Sequence, residues 1–235
     1  GSWLGCGIDL GFAMANSGLS RAQQMVYHRS LEQVLLPRDP LFILGHWRTG
    51  TTWLHEFLAL DPRHRAPTTY ECLNPNHTLL TEGWLKRCTQ FVLPAHRPPD
   101  AMAVGWDLPQ EDEFALMNLG LPSIYTGIAF PNQPWPDQAS LELDTLSPAD
   151  LGRWVDRWSN FLRGLLLRRP GRLVLKSPQH TLRLPTLERV FPHAKFVYLV
   201  RDPRSVIPST IKLWKSLSSV HGYGTPMRET LVDDV

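Results

Sequence analysis

Three short apolar runs constrain this chain more than any other feature. PLFILG (residues 40–45), RLVLKS (172–177) and KFVYLV (195–200) are each bounded by proline, glycine or charge; the first two read as buried strands and the third as a further strand. Each is followed by a helical stretch. After the first, Trp53, Leu54, Phe57 and Leu58 recur at helical spacing over residues 52–60, and a second pattern covers 184–191. After the third, Asp202 is an N-cap and Pro203 the first helical residue. Parallel neighbours need crossover connections, and crossover helices can only pack on the faces of the sheet. The expected fold class is therefore α/β: a parallel β-sheet flanked by helices on both faces, a three-layer sandwich.

The remaining elements fit one domain. Val26, Leu31, Val34 and Leu35 predict an amphipathic helix over 20–36, with Ser20 as N-cap and Pro37 as stop. Ser147, Pro148 and Asp150 form a capping-box variant that opens a long helix. Shorter helices are expected near 78–88 and 110–119. A chain of 235 residues favours a single core: a helical lead-in over 1–39, a nucleotide-binding core over 40–235, and an acceptor-binding insertion around 61–140, where proline and tryptophan concentrate. Trp84, Trp106 and Trp135 in that insertion are candidates for an apolar or sugar-stacking wall, although tryptophan is more often core. Neither end carries a clear start or stop, so the reading admits a chain cut from something longer.

Composition narrows the partners. A net charge of +2 gives no case for nucleic acid or an anionic membrane. Cys6, Cys72 and Cys88 are too few and too irregular for a disulfide framework or a four-ligand zinc site; they read as thiols of a reducing, cytoplasmic compartment. No basic segment precedes the weakly apolar N-terminus and Asp9 interrupts it, so neither a signal peptide nor a transmembrane segment is expected. Any anion site must be local.

The stretch GHWRTGTTW (residues 45–53) supplies one. A glycine-bounded turn between a strand and a helix presents backbone N–H groups and the positive end of a helix dipole, and its natural guest is phosphate-like. Gly45, Gly50 and Thr52 fit the glycines and hydroxyl of a nucleotide-triphosphate loop, which makes the fold P-loop-like, but Thr51 stands where the lysine belongs. The charge is instead at Arg48. That substitution argues against a magnesium-nucleotide kinase, which remains the rival reading. A second anion site lies in RDPRSVIPS, where Ser209 stands eight residues after Arg201. Two cations at a helix start, Arg201 and Arg204, are unfavourable unless an anion lies between them.

RTGTTW together with LVRDPRSVIPS resembles the sulfotransferases that use 3′-phosphoadenosine 5′-phosphosulfate (PAPS), and LVLKSP (residues 173–178) resembles their strand-end Lys-Ser element. The resemblance spans 41–217, without recognisable motifs in the middle. It implies a sulfotransferase in which Arg48, Thr49, Gly50, Thr51 and Thr52 hold the 5′-phosphosulfate, Arg201 and Ser209 the 3′-phosphate, and Trp53 the adenine, with a core role equally open for Trp53. PAPS is then a co-substrate, PAP the product, and no metal is expected. The acceptor is a hydroxyl or amine on a small molecule, glycan or lipid.

Sulfuryl transfer, by analogy with phosphoryl transfer, leaves the protein to position, neutralise and accept a proton. Arg48 and Lys176, the latter at a strand C-terminus, are the candidates for neutralising charge. The histidine that many cytosolic members place two residues after that lysine is here Pro178, so that base does not carry over. Other branches resemble a plan with a glutamate beyond the first loop's helix, which favours Glu71. His180 is the alternative base and the cluster Glu111, Asp112 and Glu113 a third. The family's late glycine-rich element is not visible before Val235, which keeps a non-catalytic nucleotide binder open.

Overall fold

Four parallel strands in the order β2-β3-β1-β4 form the sheet: β1 Leu41–Leu44, β2 His64–Arg65, β3 Arg172–Lys176 and β4 Lys195–Tyr198. The computed structural model describes residues 2–93, 103–129 and 141–221. The helices are α1 Ser2–Gln33, α2 Thr51–Ala59, α3 Thr69–Leu73, α4 Thr78–Cys88, α5 Asp112–Asn118, α6 Thr126–Ala129, α7 Pro148–Arg168, α8 Leu184–Val190 and α9 Pro203–His221.

The pleat sorts the strand residues between two layers. Phe42, Leu44, Leu173 and Leu175 point to one face, where Trp154, Trp158, Phe161, Leu162 and Leu165 of α7 meet Leu116 of α5 and Leu187 of α8. Leu41, Ile43 and Val174 point to the other, under Leu54 and Leu58 of α2. Alternation with period two thus feeds two separate cores, and the α/β architecture with helices on both faces is as the strand pattern predicts.

The start of α7 follows its sequence: the Ser147 hydroxyl accepts from the Asp150 N–H at 3.2 Å, with Pro148 in the first turn. Asp202 likewise accepts from the Arg204 N–H at 2.9 Å at the mouth of α9. The first helix differs from expectation. It runs from Ser2 to Gln33, so Ser20 is interior and not an N-cap. No proline interrupts residues 2–19, and glycines costing ~1 kcal/mol each do not stop a helix already nucleated. Ser17 is accommodated by its hydroxyl donating to the Ala13 carbonyl at 2.8 Å. Strand β2 was not expected; two residues are too few to show a period. Among the described residues no helix is long and apolar enough to cross a membrane.

The central strand decides where ligands go. β1 pairs with β3 on one side and β4 on the other; the chain leaves β1 toward β2 and leaves its neighbour β3 toward β4, in opposite directions. Such a switch point opens a crevice beyond the strand's carboxyl end, and that end is Gly45.

Candidate active site

The loop from Gly45 to Gly50 enters α2 through two left-handed glycines, Gly45 at φ 139° and Gly50 at φ 99°. A Cβ on Gly45 would stand 2.8 Å from the Leu199 carbonyl oxygen, which is backbone and cannot turn aside. Its N–H donates to Thr181 Oγ1 at 3.0 Å. The Gly45→Ala variant is therefore expected to lose about 1–3 kcal/mol in urea denaturation; an unchanged midpoint would mean that the loop can move away from β4. At the far end no side chain caps Gly50, so the first turn of α2 offers its N–H groups to a ligand.

Arg48 lies between these glycines at φ 67°, a conformation that a bulky residue adopts only when its surroundings enforce it. The enforcing contacts come from the second motif. Arg48 Nε donates to Ser209 Oγ at 2.9 Å across a separation of 161 residues, and Arg201 Nη1 donates to the Arg48 carbonyl at 3.2 Å across 153. The two stretches singled out in the sequence thus meet. Thr49 binds the His46 carbonyl through its hydroxyl at 2.7 Å, and Thr51 is buried. Trp53 is 67% exposed and stacks on Phe57 with ring centroids 5.5 Å apart, so it is not a core residue among the described elements. Arg204 is exposed.

Lys176 ends β3 directly beneath this loop. It is 2% exposed, and its ammonium donates to Thr52 Oγ1 at 3.2 Å and Glu111 Oε1 at 2.5 Å. Burying an ammonium demands such partners. Nearby His55 is wholly buried; burial, followed by the Lys176 charge, lowers its pKa to about 3. It is therefore neutral and accounts for no anion binding.

The three acidic residues before Phe114 do not act together. Glu111, the N-cap of α5, reaches Lys176 and also accepts from the Tyr125 hydroxyl. Asp112 is fully buried and accepts from His180 Nε2 at 2.9 Å, Ser177 Oγ at 2.8 Å and Trp158 Nε1 at 3.0 Å. Burial alone would raise its pKa, but the His180, Ser177 and Trp158 donors outweigh burial and hold it down to about 2. Glu113 is clasped by Arg183 at 2.5 and 3.1 Å, both side chains fully buried.

Two expected bases are engaged in buried hydrogen bonds. Glu71 is 2% exposed, with one oxygen on Arg65 and the other on the Thr68 N–H and hydroxyl, closing a capping box at the start of α3. Its lone pairs are committed to local structure. His180 is fully buried against the Phe42 ring, centroids 5.5 Å apart, with Nε2 on Asp112. Of the insertion tryptophans, Trp84 is exposed on α4, Trp106 packs edge-on against Tyr70, and Trp135 lies outside the described residues. Among the described residues no group of three or more His, Cys, Asp or Glu is placed to hold a metal ion.

Comparison with known proteins identifies the family. The model of the "Sulfotransferase family" matches residues 40–233. The omega-hydroxy-beta-dihydromenaquinone-9 sulfotransferase Stf3 of Mycobacterium tuberculosis (strain CDC 1551 / Oshkosh) is 44% identical over 223 residues, 95% of this chain and 57% of that protein. The chain thus spans little more than half the length of that relative. The crystal structure of sulfotransferase STF9 from Mycobacterium avium superposes with a TM-score of 0.61 at 24% identity, over 86% of this chain and 52% of that one. STF1 from Mycobacterium tuberculosis H37Rv gives 0.57 at 20% identity, over 86% and 59%; at these identities the two structures speak for the fold. With the family model covering both anion motifs and the Lys-Ser strand end, the chain belongs to the sulfotransferase family.

Proposed function

We propose that this chain carries the donor site and catalytic groups of an enzyme that transfers a sulfuryl group from PAPS to a lipid hydroxyl. The observation that carries the reading is the meeting of Arg48 with Ser209 and Arg201: one ligand with anionic groups at two ends fits two phosphate-binding helix starts brought side by side. The first turn of α2, with Thr51 and Thr52, would take the 5′ end; Ser209 and Arg201 would take the 3′-phosphate. Trp53, exposed beside the loop, is suited to the base. The lipid acceptor follows from the relative whose name specifies an omega-hydroxylated dihydromenaquinone.

In the transfer an acceptor oxygen bonds to sulfur as the bond from sulfur to the departing phosphate oxygen breaks. Arg48 and Lys176 would neutralise charge on the departing oxygen. Glu111, not Glu71 or His180, takes the acceptor's proton. It is the one member of the acidic cluster that touches Lys176, and it retains 13% side-chain exposure, whereas Glu71 and Asp112 are buried.

Adenosine 3′,5′-bisphosphate is expected to raise the melting temperature without magnesium, and ATP with magnesium to do so weakly. The reverse order would reject the donor assignment. Arg48→Ala and Arg201→Ala should each weaken bisphosphate binding roughly ten- to a hundredfold, the loss of one charge-assisted hydrogen bond. Turnover of PAPS with hydroxylated menaquinols, set against phenols, glycans and short alcohols, tests the acceptor class.

A further inference from the structure

Glu111 is held from two sides, and the second side leads back to the donor loop. Lys176 takes Oε1. Oε2 accepts from the Tyr125 hydroxyl, which itself receives the Trp47 Nε1–H at 3.3 Å. The direction of this chain is fixed by chemistry. An indole N–H can only donate and an ionised carboxylate only accepts, so the phenol must accept from Trp47 and give its single proton to Glu111. Tyr125 is 5% exposed; burial, then the Glu111 charge, raises its pKa well above the ordinary phenol value, so it remains a donor through neutral and mildly alkaline pH. Trp47 directly precedes Arg48 and meets Trp214 edge-on, centroids 5.6 Å apart. Trp214 is on α9, the helix that carries Ser209. The indole is thus fixed by the two segments that form the anion site.

We propose that Tyr125 is a positioning residue for sulfuryl transfer, aiming the Glu111 carboxylate through its hydroxyl, and that Trp47 ties this aim to the donor loop; the proposal rests on the reading of Glu111 as the base. Without the phenol proton the carboxylate keeps one anchor, Lys176, and is free to rotate about it. A bidirectionally held carboxylate is presented to the acceptor in one orientation, the kind of alignment whose loss lowers turnover more than binding.

The test uses the full-length protein. Tyr125→Phe, which retains the ring, is expected to lower kcat roughly tenfold while donor KM and bisphosphate affinity stay within about twofold. Trp47→Phe should lower kcat in the same direction by less. The double variant should be no slower than Tyr125→Phe, because the indole acts through the phenol. A kcat for Tyr125→Phe within twofold of wild type overturns the proposal, as does multiplication of the two single losses. Independently of any acceptor, the carboxylate stretching band that vanishes from the infrared difference spectrum in Glu111→Gln should shift in Tyr125→Phe; an unmoved band is equally fatal. Full activity in Glu111→Gln would instead remove the base assignment and this proposal with it, whereas an inactive Glu111→Gln beside a normal Tyr125→Phe would remove this proposal alone.

Discussion

Glu111→Gln is expected to slow turnover by ~10²–10⁴ while bisphosphate affinity is retained or raised. The two effects have separate causes. On the proposed assignment, the variant lacks the acceptor for the proton released as the acceptor oxygen attacks sulfur. Lys176, relieved of the partner at 2.5 Å, is then free to meet an anion in the loop. Lys176→Ala should cost ~10²–10³ in kcat, the scale of removing one donor from a developing oxyanion. Glu71→Gln provides the contrast, because its carboxylate closes the α3 capping box and pairs with buried Arg65. It should lower the melting temperature and leave kcat within a few-fold. Single-turnover rates with saturating PAPS, measured beside thermal melts, separate the three variants. Normal turnover in Glu111→Gln with slow chemistry in Glu71→Gln would return the base to the position first favoured.

The layers and the glycine-bounded loop were legible because each rests on local pattern. β1 is a continuous apolar run, β3 has three apolar residues between its charged ends, and Ser147 and Asp202 sit at helix starts as their chemistry requires. The separate surroundings of the candidate carboxylates were not legible, for two physical reasons. Thr68-x-x-Glu71 is itself a capping-box sequence, a signal that places Glu71 at the third position of a helix with its carboxylate turned to the backbone. The Glu111, Asp112 and Glu113 run reads as one cluster, yet Glu111 is the extended N-cap of α5 while Asp112 and Glu113 are its first helical residues, about 100° apart around the axis, so three neighbours entered three environments. The partners that distinguish those environments, Lys176, His180 and Arg183, stand 65, 68 and 70 residues away. Only the crossover of the chain from α5 through α7 to β3 brings them back. Tyr125 and Trp47, 78 residues apart, carry no local signal at all.

The largest expected stability effects fall on the buried ion pairs that back the site. Arg183→Met leaves Glu113 without its partner where both side chains are fully buried, and breaking a buried pair by removing one member costs ~3–5 kcal/mol. The double variant Arg183→Met with Glu113→Leu should recover most of that loss, since two apolar groups leave no charge to desolvate. His180→Phe makes the corresponding change beside Asp112 and also alters the dependence on pH. In the native protein the Asp112 pKa lies near 2 against an ordinary 3.8. Its contribution is therefore present above about 3.8 and is lost as pH falls toward about 2. Without His180, burial, the largest single influence, is opposed only by the Ser177 and Trp158 donors, and the folded-state pKa is expected to move above the unfolded one. The folded state then binds more protons, and stability from this group rises on acidification instead of falling. Urea midpoints of the two proteins from neutral pH to about 4 should thus diverge at neutral pH and converge in acid. Parallel curves would mean that Ser177 and Trp158 alone keep Asp112 ionised, and that His180 contributes packing against Phe42 and little else.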